Sequence, residues 1–562
     1  TFIHDFAQKI SKDGVTTGCD FMAEYGYIDE QYRLNASGFS NGYDKLYSSS
    51  LLDRTASMIL AGHIQGGTTG IADADIAQTI KTAVENHVEG LTEDDVYKYT
   101  IGLYRYTLAP ENHAIMTDCY TDNAVPVHVT AAQGELSSGT ATSTNSYFQQ
   151  VWKQAFQGIR RCNIGLENID KVNMDKKKQN VFRGEIYFLR GFFYATLLKL
   201  YGGVPLLKTT LSFSDPIPSR SSEEDVYNFI ISDLDSAATL LPITQEEVGR
   251  ATKGAAIAEK AIISNFMNKY KEAAKYAKEL ITLGIYDLHP NYAELFLPTY
   301  ENNVEVIFDR QYMENAKDKS LGSDIDQFFA PQMMGGWEAV SPTKDLIDTY
   351  ECIDGKSIQE SPLYDENNPF LNRDPRLEYS ILHDGSVIAD KIFSSEGRVG
   401  DGNSTRTGYS MRKYINPAND GMNYLGWTNF IYIRYAEILL VYAEALNEIS
   451  GPTAEVYHAV NKVRNRVNMP SLPENLNKEA MRNIIRKEKR IEFTFEGVYY
   501  YDTRHWRTTE FVVTKPVYGK KMNGEYLWVE NRKFNPNRDY LWAIPLTDID
   551  LSKGSLKQNP GW

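Results

Sequence analysis

The amino-acid sequence predicts a mainly helical fold, in which paired helices form the core and a large loop-rich insertion interrupts them. Three observations support this: apolar residues recur at three- and four-residue steps, small residues concentrate in one pair of such stretches, and the composition changes between residues 285 and 430. Of the 562 residues, 42% are hydrophobic and 24% are charged, so the chain can bury a sizeable core and is not disordered.

The periodic stretches before residue 205 predict two long helices, at 147–170 and at 178–201. Each carries one apolar face. The second stretch ends at Gly202, Gly203 and Pro205, which is typical of a helix C-terminus followed by a helix breaker. The apolar positions of the first stretch are Val151, Trp152, Ala155, Phe156, Ile159, Cys162, Leu166 and Ile169.

Further helices are predicted on both sides of the insertion. Ser222, followed by two glutamates, opens one that runs to Leu240. The stretches 253–267 and 270–283 form an alanine-rich pair, and small side chains allow two helices to approach closely. Antiparallel pairs of this size are the unit of TPR-like arrays, so the fold class is mainly α with a TPR-like core. The later helices are predicted at 433–449, 453–467 and 477–495.

The composition divides the chain into four parts. Residues 1–90 form an N-terminal segment without a clear pattern, and residues 91–284 form the first part of the helical core. Residues 285–430 are rich in Gly, Asn, Asp, Pro and aromatics, which predicts an irregular ligand-binding insertion, because long structured loops usually carry function. Residues 431–562 complete the helical core and end in an extended closing segment.

Charge and motif content exclude several functional classes. The net charge of −15 disfavours nucleic acid as a partner, and no apolar run approaches the length of a membrane-spanning helix. No two histidines lie four residues apart, so no metal site or other cofactor is predicted, although oxygen ligands for calcium leave little trace. The cysteines, which are free thiols or form one or two disulfides, are Cys19, Cys119, Cys162 and Cys352.

The basic residues between Arg482 and Arg490 admit two interpretations. A surface for nucleic acid is one, and a salt-bridged face of a helix is the other. Because Glu479, Glu488 and Glu492 alternate with the basic residues, the salt-bridged face is the better interpretation.

Several segments in a fixed order resemble the SusD/RagB family over residues 147–562. They include 152–169, GEIYFLRGFFY at 184–194, LYGGVPL at 200–206, RYAEILLVYAEALNE at 434–448, NKVRNR at 461–466, KEKRIEFTFEG at 487–497, YDTRHW at 501–506 and QNPGW at 558–562. Each segment alone is a weak signal. Together, in the order in which the family has them, they make the resemblance specific. Residues 1–90 match poorly.

This resemblance implies a non-catalytic lipoprotein on the extracellular face of the outer membrane of Bacteroidetes. Such proteins have a TPR-like helical core, bind oligosaccharides or polysaccharides, and deliver them to a SusC-like, TonB-dependent transporter. Membrane attachment is expected only through an N-terminal lipid anchor that is absent from the given chain. Three alternatives stay open: a peptide receptor of the same family, a TPR scaffold that binds only proteins, and a glycosidase with an unrecognised carboxylate pair.

The resemblance also indicates where the ligand binds. In the family, the loop before a Pro-Thr pair often places an aromatic residue in the site, which here is Trp337, with Met334 as a weaker candidate. The loop at 120–145 contributes polar side chains that can bond sugar hydroxyls. The candidates from that loop are Asp122, Asn123 and His128; Tyr300 and Tyr312, near the insertion, complete the set.

Overall fold

The computed structural model of the protein describes residues 91–109, 113–127, 130–211, 215–314, 321–399, 404–419 and 425–562. This part of the chain is mainly helical, as predicted. The helices are α1 Glu93–Leu103, α2 Ala114–Thr117, α3 Ala131–Ser138, α4 Ser146–Asn168, α5 Lys176–Tyr201, α6 Glu223–Leu240, α7 Lys253–Phe266, α8 Tyr270–Leu283, α9 Ile325–Phe329, α10 Lys344–Thr349, α11 Pro375–Ser380, α12 Tyr435–Ser450, α13 Ala454–Arg466, α14 Lys478–Glu492, α15 Val498–His505, α16 Thr509–Val513 and α17 Leu546–Leu551.

Within the ranges given above, the strands are short and pair only in twos. All five pairs are antiparallel: β1 with β3, β2 with β8, β4 with β7, β5 with β6, and β9 with β10. Their bounds are β1 Ala124–Pro126, β2 Val306–Arg310, β3 Val340–Pro342, β4 Ile381–Leu382, β5 Val387–Ile388, β6 Lys391–Ile392, β7 Ser410–Met411, β8 Phe430–Arg434, β9 Val517–Met522 and β10 Glu525–Glu530.

Local capping chemistry explains where several helices begin. The side chain of Ser222 accepts a hydrogen bond from the backbone N–H of Asp225, as the sequence predicts for the start of α6. Thr252 caps α7 in the same way, and Asn477 caps α14. At the other end of a helix, Gly284 adopts a left-handed conformation (φ 66°) that terminates α8.

Contacts between residues divide the chain into two compact units. The described part of the first comprises residues 91–106, 156–190, 206–211 and 215–217. Within it, the amide of Asn163 donates to the carbonyl of Leu207 at 2.8 Å and accepts from Arg190 at 2.7 Å. The second unit comprises residues 107–155, 191–205 and 218–562, and it holds every site discussed below.

The helical core of the second unit is a succession of packed helix pairs. α6 packs against α7, α7 against α8, and α12 contacts α7, α8, α13 and α14. Ala255, Ala256, Ala258 and Ala261 of α7 are fully buried, so small side chains do bring these helices close together.

Antiparallel pairing of β2 with β8 brings residues 306–310 beside 430–434. The chain between these strands therefore leaves the helical core and returns to it at one place, immediately before α12. Its described residues carry only short helices and strands.

A buried ionic network joins this excursion to the helical core. Arg376 of α11 bonds Glu488 and Glu492 of α14, and Arg434 at the end of β8 bonds Glu492 and Glu496. These side chains are almost completely inaccessible to solvent. The network continues through Asp374, Glu305, Arg466, Arg464, Glu351, Lys487 and Lys413.

The basic face of α14 is salt-bridged, as the mixed charges predict. Arg482 bonds Glu448, and Lys489 bonds both Glu444 and Asp502. These contacts leave that face committed to neighbouring helices.

The cysteines in the described part of the chain, Cys119, Cys162 and Cys352, are buried, and Cys119 and Cys352 are free thiols. Cys19 lies outside the described residues. Among the described helices, none combines the length and apolar character that crossing a bilayer requires.

Candidate ligand-binding site

The Trp337 loop, residues 331–339, is held by backbone hydrogen bonds to the short helix that precedes it. The N–H groups of Trp337 and Ala339 donate to the carbonyls of Gln327 and Phe328, each at 2.8 Å, and that of Glu338 donates to Ala330 at 3.1 Å. These bonds fix the backbone position from which the side chain of Trp337 projects.

Two glycines make this close packing possible. Gly335 adopts a left-handed conformation (φ 86°), which an L side chain rarely takes. A Cβ atom on Gly336 would lie 2.2 Å from the carbonyl oxygen of Ala330, so no other residue fits there without moving the backbone.

The indole of Trp337 is partly open to solvent. Its side chain is 38% exposed, and the ring of Phe328 lies 4.8 Å away between centroids at 57°. Of the seven tryptophans, all within the described residues, only Trp337 and Trp528 are exposed. An aromatic face supported by a second ring and open to water can stack on the C–H face of a sugar ring or on another flat apolar group.

A charged pair lies against the Trp337 loop. A guanidinium nitrogen of Arg398 lies 2.6 Å from a carboxylate oxygen of Glu338, whose side chain is fully buried. Burial raises the pKa of Glu338, while Arg398 opposes the shift. The guanidinium also donates to the carbonyl of Ser394 at 3.1 Å and to the side-chain oxygen of Gln332 at 3.4 Å. It is partly exposed, and a guanidinium has five N–H groups, so a ligand's hydroxyl or carboxylate oxygen can accept from one that these bonds leave over.

The polar candidates Asp122 and Asn123 are buried, which corrects the prediction that they contact ligand. Asn123 has no exposed surface; its amide donates to Asp118 at 2.7 Å and accepts from Arg490 at 2.8 Å. Asp122 is paired with the same arginine at 3.0 Å. Burial raises the pKa of Asp118 to about 7, although the bond from Asn123 opposes this. These residues tie β1 to α14.

Met334 is also buried, with 2% of its surface exposed, because it lies in the 3₁₀ turn beneath the tryptophan. Its predicted contact with ligand is therefore corrected to a supporting position. His128 lies outside the described residues.

Tyr300 and Tyr312 each lie beside a basic or imidazole side chain. Tyr300 is exposed at the end of a 3₁₀ helix, and its ring lies 5.7 Å from that of His289. The guanidinium of Arg310 lies 5.4 Å above the ring of half-buried Tyr312. Contact of either tyrosine with ligand remains a prediction.

The sequence prediction missed Phe328, Arg398 and Glu338. Arg398 lies in a polar, glycine-punctuated stretch, but its bond to Glu338 joins positions 60 residues apart and left no local signal. In the described part of the chain, no group of three or more His, Cys, Asp or Glu side chains is arranged to hold a metal ion.

Comparison with known proteins agrees with this architecture. A sequence model of the SusD family matches residues 304–562, and one described as "Starch-binding associating with outer membrane" matches residues 77–264. A SusD-like protein of Bacteroides fragilis with a crystal structure is 31% identical; the match covers 84% of this chain and 97% of that chain, with a TM-score of 0.74. The chain belongs to the SusD family.

Two further SusD-like relatives extend the comparison. SusD-like protein P2 of Formosa agariphila is 27% identical over 456 residues, which cover 76% of this chain and 83% of the relative. The crystal structure of a SusD-like carbohydrate-binding protein from B. fragilis is 28% identical, with a TM-score of 0.75 over 82% of this chain and 98% of that chain. The SusD match at 304–562 includes the whole Trp337 loop and Arg398.

Proposed function

We propose that this SusD-family protein is a non-catalytic surface receptor that binds an oligosaccharide or polysaccharide and delivers it to a SusC-like, TonB-dependent transporter. The observation that carries the proposal is the Trp337 loop, which holds an exposed indole and is bonded to the partly exposed guanidinium of Arg398. A relative of 28% identity is described as a carbohydrate-binding protein.

The loop supplies the two kinds of contact that a sugar needs. The face of Trp337, backed by Phe328, stacks on a pyranose ring, and Arg398 donates to hydroxyl oxygens. Burying ~100 Å² of apolar surface contributes ~2.5 kcal/mol before the cost of association. A single such site gives dissociation constants of roughly micromolar to millimolar.

Weak binding suits a protein that must release its ligand to a transporter. Attachment beside the transporter, through an N-terminal lipid anchor on the extracellular face of the outer membrane, raises the effective concentration of captured glycan at the channel. The family description "associating with outer membrane" supports this location.

The test is affinity electrophoresis in native gels that contain starch, laminarin, xylan, mannan, pectin or alginate. We expect at least one polysaccharide to retard the protein, and Trp337→Ala to abolish most of the retardation with little change in melting temperature. Phe511→Ala is the matched control, because this exposed aromatic side chain lies on α16, outside the Trp337 loop.

Other outcomes would favour the alternatives. Calorimetric binding of a tryptic casein digest, without retardation by any polysaccharide, would favour a peptide receptor. Release of reducing sugar that is lost on one Asp or Glu substitution would contradict a non-catalytic role. Binding of neither ligand class would favour a scaffold for proteins.

A further inference from the structure

The β9–β10 hairpin carries a second set of exposed aromatic rings. Trp528 is 56% exposed and Tyr518 is 39% exposed, and the two are direct cross-strand partners. Directly opposed side chains in an antiparallel pair have Cβ atoms about 5 Å apart on one face of the strands. Tyr526, which lies on β10 with Trp528, is also exposed.

Within the described residues, these rings lie outside the aromatic clusters of the core, and the ammonium group of Lys344 lies 4.3 Å from the centroid of the Tyr526 ring. The indole of Trp528 and the ring of Tyr518 pair with no other ring there, and neither tyrosine hydroxyl bonds a described residue. In contrast, Trp542 is 2% exposed, and its ring lies 4.9 Å from that of Phe148. Adjacent exposed aromatic rings are costly in water, so such surfaces usually mark binding sites.

The hairpin is held firmly from the β9 side. The N–H of Lys520 donates to the carbonyl of Thr407 at 2.7 Å, and its ammonium group bonds Asp384 at 2.6 Å. A Cβ atom on Gly519 would lie 2.4 Å from the Thr407 oxygen, so the strand lies directly against this loop. A surface fixed in this way loses little conformational entropy when a ligand binds.

The base of the hairpin is bonded to the strand that follows the Trp337 loop. Arg406 lies 2.6 Å from Glu530 at the end of β10, and its N–H donates to the hydroxyl of Ser341 in β3 at 3.0 Å. Trp337 is four residues before Ser341, and Trp528 is two residues before Glu530. By chain length, Trp337 lies within about 14 Å of Ser341, and Trp528 lies within about 7 Å of Glu530.

We propose that the exposed face of the β9–β10 hairpin is a second sugar-binding surface, which holds the same polysaccharide chain that stacks on Trp337. This inference rests on the proposed function. Tryptophan and tyrosine offer flat apolar faces together with polar edges, the combination that suits the alternating C–H and hydroxyl faces of a sugar polymer. The apolar Leu527 and Val529, which alternate with the rings along β10, are half-buried.

Two weak contacts with one polymer strengthen each other. Once Trp337 has bound part of the chain, the hairpin meets the rest at a high local concentration, so polymer affinity exceeds that of either contact alone. A short oligosaccharide that fills one surface gains nothing from the other. The proposal therefore predicts that affinity depends on chain length.

The experiment uses the polysaccharide that retards the wild-type protein and its tri- and tetrasaccharide fragments. We expect the double variant Trp528→Ala/Tyr518→Ala to bind the polymer roughly tenfold more weakly and to bind the fragments unchanged. Trp337→Ala should weaken binding of the polymer and of the fragments. Phe511→Ala should change the affinity for neither ligand. Melting temperatures of all variants are compared with that of the wild type.

A second measurement does not depend on the hairpin variant folding. In Trp337→Ala, Trp528 is the most exposed tryptophan left, so the change in acrylamide quenching of fluorescence reports mainly on the hairpin. Saturating polysaccharide should reduce quenching in this variant. Unchanged quenching would overturn the second surface.

The outcomes separate this inference from the proposed function. If the double variant binds polymer as tightly as the wild type, the second surface is wrong while the Trp337 site stands. If the affinity of the double variant falls equally for the fragments and for the polymer, the hairpin is not a second surface. If no polysaccharide binds the wild-type protein, both proposals fail, and an apolar protein partner becomes the better explanation of the hairpin rings.

Discussion

Arg376 and Glu492 lie 2.9 Å apart, and neither side chain has any surface exposed to solvent. The arginine belongs to α11 in the excursion, and the glutamate belongs to α14 in the helical core. Glu492 also accepts hydrogen bonds from Arg434, at 2.7 Å, and from Arg466. Although burial acts in the opposite direction, the three guanidinium groups hold the pKa of Glu492 well below its usual range. The carboxylate is therefore the charge that joins excursion and core.

Replacing Glu492 by Gln should destabilise the protein strongly. The substitution keeps the shape of the side chain but leaves buried guanidinium groups without their counter-charge, which typically costs about 3–5 kcal/mol. Urea unfolding followed by circular dichroism measures this free energy. The matched control is Glu455→Gln, which breaks a 2.7 Å pair with Lys278 whose members are more than half exposed. Such a pair contributes about 1 kcal/mol or less. Equal losses in the two variants would contradict a special role for the network.

The helices could be predicted from the sequence because their signals are local. The predicted stretches 253–267 and 453–467 correspond to α7 and α13 within one residue at each end. Apolar periodicity, capping residues and terminal glycines all act within a few positions, so each helix carries its own signal. The alternation of charges on α14 likewise indicated a salt-bridged face before its partners were known.

The candidate site could be predicted only in part, because its contacts are distant in sequence. Asp122 and Asn123 have the composition of an exposed turn. They are buried because Arg490, more than 360 residues later, pairs with both. Trp337 was found through resemblance to a family, whereas Trp528 lies in a strand whose sequence alone does not distinguish an exposed ring from a buried one.

Asn123→Ala tests the corrected role of this residue. Removing the amide takes one hydrogen bond from the buried carboxyl group of Asp118 and one from the buried guanidinium of Arg490, which should cost about 2–4 kcal/mol. Affinity for the retarding polysaccharide, measured well below the melting temperature, should not change. A loss of affinity with unchanged stability would instead return Asn123 to the binding surface.

Glu437 of α12 should make stability decrease as pH rises. This carboxyl group lines an interior cavity of about 120 Å³, and burial raises its pKa to about 8 from an ordinary value of 4.5, against the effect of Lys489. The native protein therefore keeps a proton that the unfolded chain has already released between about pH 5 and pH 8. Over this window, the group lowers the free energy of unfolding by up to about 1.4 kcal/mol per pH unit.

Glu437→Gln removes this titration. The free energy of unfolding of the variant, relative to that of the wild type, should increase between pH 5 and pH 8 and then level off. Urea titrations at pH 5, 6.5 and 8 measure the difference. Parallel pH profiles of the two proteins would show that Glu437 is ionised in the native state throughout this window.

Gly336→Ala tests whether the position of Trp337, and not merely its presence, is required for binding. The new methyl group would meet the carbonyl oxygen of Ala330 at 2.2 Å, so the loop must shift while the indole itself is retained. We expect a loss of polysaccharide affinity similar to that of Trp337→Ala, together with a loss of about 1–3 kcal/mol of stability from overpacking. Gly284→Ala is the control, because its Cβ has open space at the end of α8 and the substitution costs only backbone strain. If Gly336→Ala shifts the fluorescence of Trp337 yet binds polysaccharide as the wild type does, the indole is not the surface on which the sugar stacks.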